Sequence, residues 1–225
     1  KNMKAMILAA GLGSRMKPLT REIPKPLLDV NGLSLIEYTI NNLTNYGINE
    51  FIINVSYLGE KIKLALKSIE DVSNIIFLDE SFPYGTGGAL LNAKDYLGSA
   101  PFILSTSDIL FSPDLTKIPD RVDTVHLIAT KNPDHNNGGD FSLNDESVFI
   151  NEGFNDYTYS GVCVINPRVL EKHASKDYPF DLWSTILIPL IKTSKVTGHL
   201  DDSFWIDVGT PNRLKLARTV LKDQN

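Results

Sequence analysis

Leu8-Ala9-Ala10-Gly11-Leu12-Gly13-Ser14-Arg15-Met16-Lys17-Pro18-Leu19-Thr20, followed by Ile23-Pro24-Lys25-Pro26-Leu27-Leu28, decides how this chain is read. The stretch predicts a strand, then a glycine-rich loop, then an arginine and a lysine in a proline-stiffened segment. Glycines lack a Cβ, so the backbone comes close to a ligand. Successive N–H groups in such a loop form an anion-binding concavity. Arg15 adds a fork of donors and Lys25 a point charge. Prolines on both sides of Lys25 fix the backbone, so the lysine is aimed. Ala10, Gly11, Leu12, Gly13, Arg15 and Lys25 together suit a triphosphate. The spacing has neither the third glycine of the dinucleotide fingerprint nor the Gly-Lys-Ser/Thr ending of a P-loop.

Outward from the loop, apolar runs alternate with helical patterns. Strands are expected at 3–9, 50–55, 74–78, 101–105 and 122–130, nearly continuously apolar as in a parallel sheet buried on both faces. Helices are expected from Ile36 to a stop at Gly47, from Leu58 to Ile69, and from Thr86 to Leu97. This alternation implies βαβ units, whose ligands bind beyond the carboxyl ends of the strands. The second half reads differently. It has a hairpin around Asn144-Asp145-Glu146, a strand at 157–165, a helix from Asp181 broken by Pro189, and a short strand at 204–208. Thr210 then caps a last helix with Pro211 at its first position.

Composition narrows the function. The chain has 225 residues and a net charge of −5, against the basic balance of a general nucleic-acid binder. With a single cysteine, Cys163, an intramolecular disulfide is excluded, and the apolar run around it predicts a buried thiol. Neither a signal peptide nor a membrane-spanning run is evident, so a cytoplasmic protein without membrane contact is expected. Oligomeric state is left open.

Asp108 follows an apolar strand at the ligand edge, and Asp207 ends another. Two such carboxylates suit Mg²⁺, which prefers oxygen ligands and substrate phosphates. Thr210 already serves the helix cap, which leaves Asp207 for another task. Thr86, Gly87 and Gly88 open a helix with small residues, leaving N–H groups for a base or sugar. Asp140 and Glu152 suit sugar hydroxyls. The four histidines, His126, His135, His173 and His199, lack ligand spacing and read as structural or surface.

Taken together, these motifs resemble the sugar-1-phosphate nucleotidyltransferases over essentially the whole chain. The resemblance implies an α/β fold of the nucleotide-diphospho-sugar transferase type. That is a Rossmann-like mixed, mostly parallel sheet flanked by helices, with a small acceptor-binding subdomain. One domain spans 1–225, with a nucleotide-binding half at 1–130 and a sugar-phosphate-binding half at 131–225. The resemblance further implies that Arg15 and Lys25 grip phosphates, that Asp108 and Asp207 ligate Mg²⁺, and that Asp140 contacts sugar. Its partners are then a nucleoside triphosphate and a sugar 1-phosphate. Asn132-Pro133-Asp134-His135, Gly139-Asp140-Phe141 and Tyr159-Ser160-Gly161 favour uridylyl transfer from UTP to an amino-sugar 1-phosphate. Guanylyl transfer to mannose 1-phosphate is the alternative of the same class, and a non-catalytic nucleotide-sugar sensor that of another. Thr106-Ser107 stands where the family carries Asn-Gly, which makes Thr106 a candidate for sugar preference.

Overall fold

The computed structural model describes residues 3–70 and 73–222. In chain order the strands are β1 (Ala5–Leu8), β2 (Asp29–Val30), β3 (Leu33–Ser34), β4 (Glu50–Val55), β5 (Asn74–Asp79), β6 (Phe102–Thr106), β7 (Ile109–Phe111), β8 (Val125–Lys131), β9 (Ser142–Asn144), β10 (Ser147–Phe149), β11 (Tyr157–Ile165), β12 (Val196–Leu200) and β13 (Trp205–Asp207). The α-helices are α1 (Leu35–Asn45), α2 (Gly59–Ala65), α3 (Lys67–Glu70), α4 (Gly85–Asn92), α5 (Lys94–Leu97), α6 (Ile188–Lys192) and α7 (Pro211–Lys222).

The chain forms two compact units. Unit 1 holds Lys1–Pro83, Ser105–Ser112 and Phe204–Asn225, and unit 2 holds Tyr84–Leu104 and Pro113–Ser203. The units interleave because the chain leaves unit 1 after β5, returns for Asp108 and β7, and returns again for β13 and α7.

In unit 1, β1 pairs parallel with β4, and β4 with β5, as the apolar runs predict. Helix α1 buries Ile36, Ile40 and Leu43, the positions its periodicity marks. Its start is a reciprocal capping box, in which Glu37 N donates to Ser34 Oγ and Ser34 N to Glu37 Oε2. Gly47 follows at φ 81°, where a glycine stop belongs. Helix α7 begins as expected: Arg213 N donates to Thr210 Oγ1, and Leu214 and Ala217 are buried. They pack with Met16, Leu110, Ile206 and Val208 into one cluster. Strands β7 and β13 pair antiparallel, Asp207 opposite Ile109.

In unit 2, β8 pairs antiparallel with β11 and parallel with β12. The expected hairpin forms from β9 and β10, with Asp145 in its turn at φ 51°. Strand β12 escapes sequence reading because Gly198 and His199 interrupt its pattern. Gly198 is a packing position, since a Cβ there would lie 2.9 Å from Leu127 O. Pro189 does not break the helix as expected. A π-turn at Trp183–Leu187 leads directly into α6, so the helical path continues through Pro189 and its regular spacing is interrupted just before the proline.

Cys163 is buried as expected, and burial raises its thiol to about 12. His126 is the structural case of the two expected. It is fully buried, its Nδ1 2.8 Å from Thr197 Oγ1 and its Nε2 2.8 Å from His199 Nδ1. Burial, with the His199 charge adding, lowers it from 6.5 to about 4. Between those values the unfolded chain binds a proton that the folded chain refuses, so stability falls as pH drops through the window. The expected loss is about 3 kcal/mol by pH 4. Urea midpoints from pH 7.5 to 4.5 measure it. A wild-type midpoint that is flat across this range, or a slope undiminished in His126→Asn, rules it out; burial lowers His199 as well, so a smaller slope remains in the variant.

Candidate active site

The glycine loop starts where β1 ends. Ala9 N donates to Asn54 Oδ1 at 2.9 Å, and Asn54 Nδ2 donates to Glu80 Oε2 at 2.8 Å. Asn54 and Glu80 are buried. This pair sets the loop's departure from the sheet, and the sequence gives no signal for it beyond two polar residues ending β4 and following β5.

The two glycines do different work. Gly13 is left-handed at φ 62°, and a Cβ there would meet Thr20 Cγ2 at 3.0 Å and Lys25 Cβ at 3.3 Å. Thr20 Oγ1 donates to Gly13 O at 2.7 Å and holds that conformation. Gly13 is therefore structural. At Gly11 a Cβ would meet nothing within 4 Å, so that glycine leaves open space above the backbone. Met16 is buried and anchors the short helical turn Ser14–Met16, which leaves Arg15 exposed. Among the described residues no carboxylate pairs with Arg15.

Pro24 and Pro26 are buried on either side of Lys25, in a tight turn closed by Leu27 N donating to Pro24 O at 2.9 Å. The turn aims the lysine as expected. Its Nζ lies 2.9 Å from Asp108 Oδ2, with the lysine side chain 12% exposed and the aspartate 37%. Ser107 Oγ donates to Leu8 O at 2.6 Å and ties Asp108 to the carboxyl end of β1. Val208 N donates to Asp108 O at 2.8 Å. The ladder thus brings Asp207 and Asp108, 99 positions apart in the numbering, to one end of the β7–β13 pair.

No group of three or more His, Cys, Asp or Glu side chains is placed to hold a metal among the described residues. Two carboxylates are nonetheless what Mg²⁺ takes from protein when phosphates and water supply the rest. Asp108 and Asp207, each partly exposed, suit that ion with a polyphosphate beside it.

Sequence reading missed Arg213. It stands in the first turn of α7, and its side chain curls back to the strand that precedes the helix. Arg213 Nε donates to Asp207 O at 2.8 Å, and Nη2 is 3.5 Å from Asp207 Oδ1. The guanidinium lies over Gly209. A Cβ there would collide with Arg213 Nη2, and would sit 2.7 Å from Asp207 Oδ1 and 3.3 Å from Arg15 Nη2. In sequence, an arginine on a helix reads as a solvated face. The one available signal was its place at the positive end of the helix dipole, where cations are disfavoured.

The remaining site residues fall out as follows. Thr106 Oγ1, in unit 1, is buried without a partner among the described residues. In unit 2, Thr86 Oγ1 donates to Asp181 Oδ1 at 3.0 Å and accepts from Leu182 N at 2.8 Å. The expectation that Gly87 and Gly88 offer their N–H groups to a ligand is corrected, because both donate to Phe180 O. Their missing Cβ atoms make room for Phe180 and Tyr178. The close approach expected of a base is taken by the chain itself. Asp140 accepts from Asn136 Nδ2 at 3.0 Å and from Tyr159 N at 2.8 Å, fastening the 132–140 loop to β11. The Tyr159-Ser160-Gly161 motif is a bulge in the β11–β8 ladder, Gly161 at φ 89°. Glu152 is exposed in the turn before Gly153.

Known proteins resemble this chain over most of its length. A family model described as nucleotidyl transferase matches residues 4–126. The chain is 36% identical over 231 residues to N-acetylmuramate alpha-1-phosphate uridylyltransferase of Neisseria meningitidis serogroup B, covering 97% of this chain and 98% of that protein. It is 27% identical to mannose-1-phosphate guanyltransferase of Aspergillus oryzae, covering 93% of this chain but only 61% of that longer protein. Among solved structures it superposes on HddC from Yersinia pseudotuberculosis with a TM-score of 0.82 at 25% identity, covering 97% and 99% of the two chains. The Rossmann-like nucleotide-sugar transferase fold stands on these likenesses. No helix among the described residues is long and apolar enough to cross a membrane.

Proposed function

The chain belongs to the nucleotidyl transferase family, and from that premise we propose that it transfers a uridylyl group from UTP to N-acetylmuramic acid 1-phosphate, with Mg²⁺, and releases pyrophosphate. Nucleotidyl transfer to a sugar 1-phosphate is the enzyme class. The base, the sugar, the metal, a cytoplasmic setting and a place in peptidoglycan recycling are the proposed part. The observation that carries the proposal is the 2.9 Å Lys25–Asp108 contact, held at the end of β1 beside the glycine loop and joined by the ladder to Asp207.

A sugar 1-phosphate oxygen attacks the α-phosphorus in line. The new O–P bond forms as the bond to the β-phosphate oxygen breaks, and that oxygen leaves as pyrophosphate. A phosphate dianion is already a nucleophile, so no general base is needed, which fits a site without histidine. The protein's work is positioning and charge neutralisation. Ala10 to Gly13 present backbone to the nucleotide, and the open space at Gly11 admits it. Arg15 faces the β- and γ-phosphates. Lys25, held between two buried prolines, spans the α-phosphate and the incoming phosphate. When bound, Mg²⁺ withdraws charge from the phosphates; Asp108 and Asp207 would hold it. As separate candidates for sugar preference the proposal keeps Thr106 in unit 1, whose hydroxyl has no partner among the described residues, and in unit 2 the exposed carboxylate of Glu152 and the lone pairs Asp140 has beyond its two hydrogen bonds.

Pyrophosphate release from UTP, GTP, CTP and dTTP against a panel of sugar 1-phosphates, with and without Mg²⁺, tests the proposal. UTP with N-acetylmuramic acid 1-phosphate is expected to give the highest kcat/KM by about tenfold or more, since a mismatched hydrogen-bonding substrate leaves polar groups unpaired. Preference for GTP and mannose 1-phosphate moves the assignment to the guanylyltransferase. Release from no pair at all leaves the sensor.

A further inference from the structure

Arg213 is placed against elementary electrostatics. It stands in the first turn of α7, where the helix dipole repels cations, and that turn contains no acidic residue to offset it. Its own fork converges with that of Arg15 on a single point, the space a Cβ on Gly209 would fill. Two guanidiniums and a helix N-terminus therefore crowd one turn, with the Asp207 carboxylate beside it and in contact with Arg213. That pair is loose: Arg213 Nη2 to Asp207 Oδ1 is 3.5 Å, at the limit of a hydrogen bond. The tight contact is to backbone, Arg213 Nε to Asp207 O at 2.8 Å, and it needs no charge on Asp207.

The geometry points to Arg213 as an exchangeable counter-ion. It neutralises Asp207 while no cation is bound, and it becomes a second phosphate-gripping arginine beside Arg15 once a divalent cation takes the carboxylate. The exchange needs little motion. Nε stays on the Asp207 carbonyl and fixes the plane of the guanidinium, so Nη2 is freed where it already lies, next to Arg15 Nη2. A bound cation and a free arginine fork then arrive together. This couples binding of metal to binding of polyphosphate without any moving segment. The side chains of Arg213 and Asp207 are 20% and 26% exposed, open enough for small ions to reach. The inference rests on the reading of Asp207 as a cation ligand.

Two measurements of opposite sign test it. Mn²⁺ binding to the nucleotide-free protein, read from the electron paramagnetic resonance signal of free Mn²⁺, is expected to tighten about fivefold in Arg213→Ala. That is the size of one partly exposed ion pair removed as competitor. At saturating Mn²⁺, the KM for the nucleoside triphosphate is expected to rise about tenfold in the same variant, as for one charge-assisted bond lost. A merely structural arginine would weaken both. Arg213→Lys keeps the charge but loses the fork and the Nε contact. It should hold Mn²⁺ affinity near wild type while KM stays raised, which covers an alanine variant that fails to fold. Mn²⁺ affinity unchanged or weakened in folded Arg213→Ala overturns the inference. Wild type and Asp207→Asn binding Mn²⁺ equally, or not at all, overturns the reading of Asp207 beneath it.

Discussion

Lys25→Ala is expected to lower kcat by about 10²–10³-fold, the scale on which one pre-aimed donor to developing charge is lost. The lysine is not a flexible surface cation. Buried prolines flank it, a closed turn carries it, and its ammonium is 2.9 Å from Asp108 with 12% of the side chain exposed. Side-chain and backbone freedom are already restricted before substrate arrives, so its charge acts without reorganisation. Lys25→Arg should recover little. A planar fork in place of a compact ammonium does not fit a turn that stiff. Folding should survive, since a partly exposed ion pair contributes up to about 1 kcal/mol. Single-turnover kinetics with saturating substrates, beside a thermal melt, separates the two effects. Turnover near wild type in a folded Lys25→Ala would remove Lys25 from the mechanism.

The second large effect belongs to Asp108. Asp108→Asn keeps the shape and the backbone acceptor for Val208 N, so the β7–β13 junction should hold. It removes the charge that Lys25 faces and one of two carboxylates suited to Mg²⁺. A metal contributes several kcal/mol of charge stabilisation to such a step, so the loss should reach about 10³-fold. The residual rate should need far more Mg²⁺. An Mg²⁺ titration of initial rates reads both changes. If the asparagine variant keeps a wild-type Mg²⁺ midpoint and loses less than about fivefold in rate, Asp108 is no ligand.

Some site features were legible because their causes are local. A two-sided apolar run makes a buried parallel strand wherever it is placed, and β4 falls at Glu50–Val55 as read. Proline stiffening of Lys25 and capping of α7 by Thr210 are likewise matters of a few adjacent residues. The opposite holds for Gly87 and Gly88. Small residues opening a helix look the same whether a ligand or another part of the chain approaches them. Only the position of Phe180, 92 residues on from Gly88 in the numbering, decides it.

The glycine loop by itself raised the expectation of a phosphate site after β1, and the lysine between prolines determined how stiffly a cation is held there. Tertiary structure alone decided the rest. It set which aspartates share a ladder end, tied Ser107 to Leu8, and folded Arg213 back over Gly209. It also divided the two glycines into Gly13, held by Thr20, and Gly11, left open. The physical reason is range. Propensity, capping and turn chemistry act over a few residues, whereas a counter-charge, a collision with a missing Cβ or an unpaired hydroxyl exists only once distant segments are packed together.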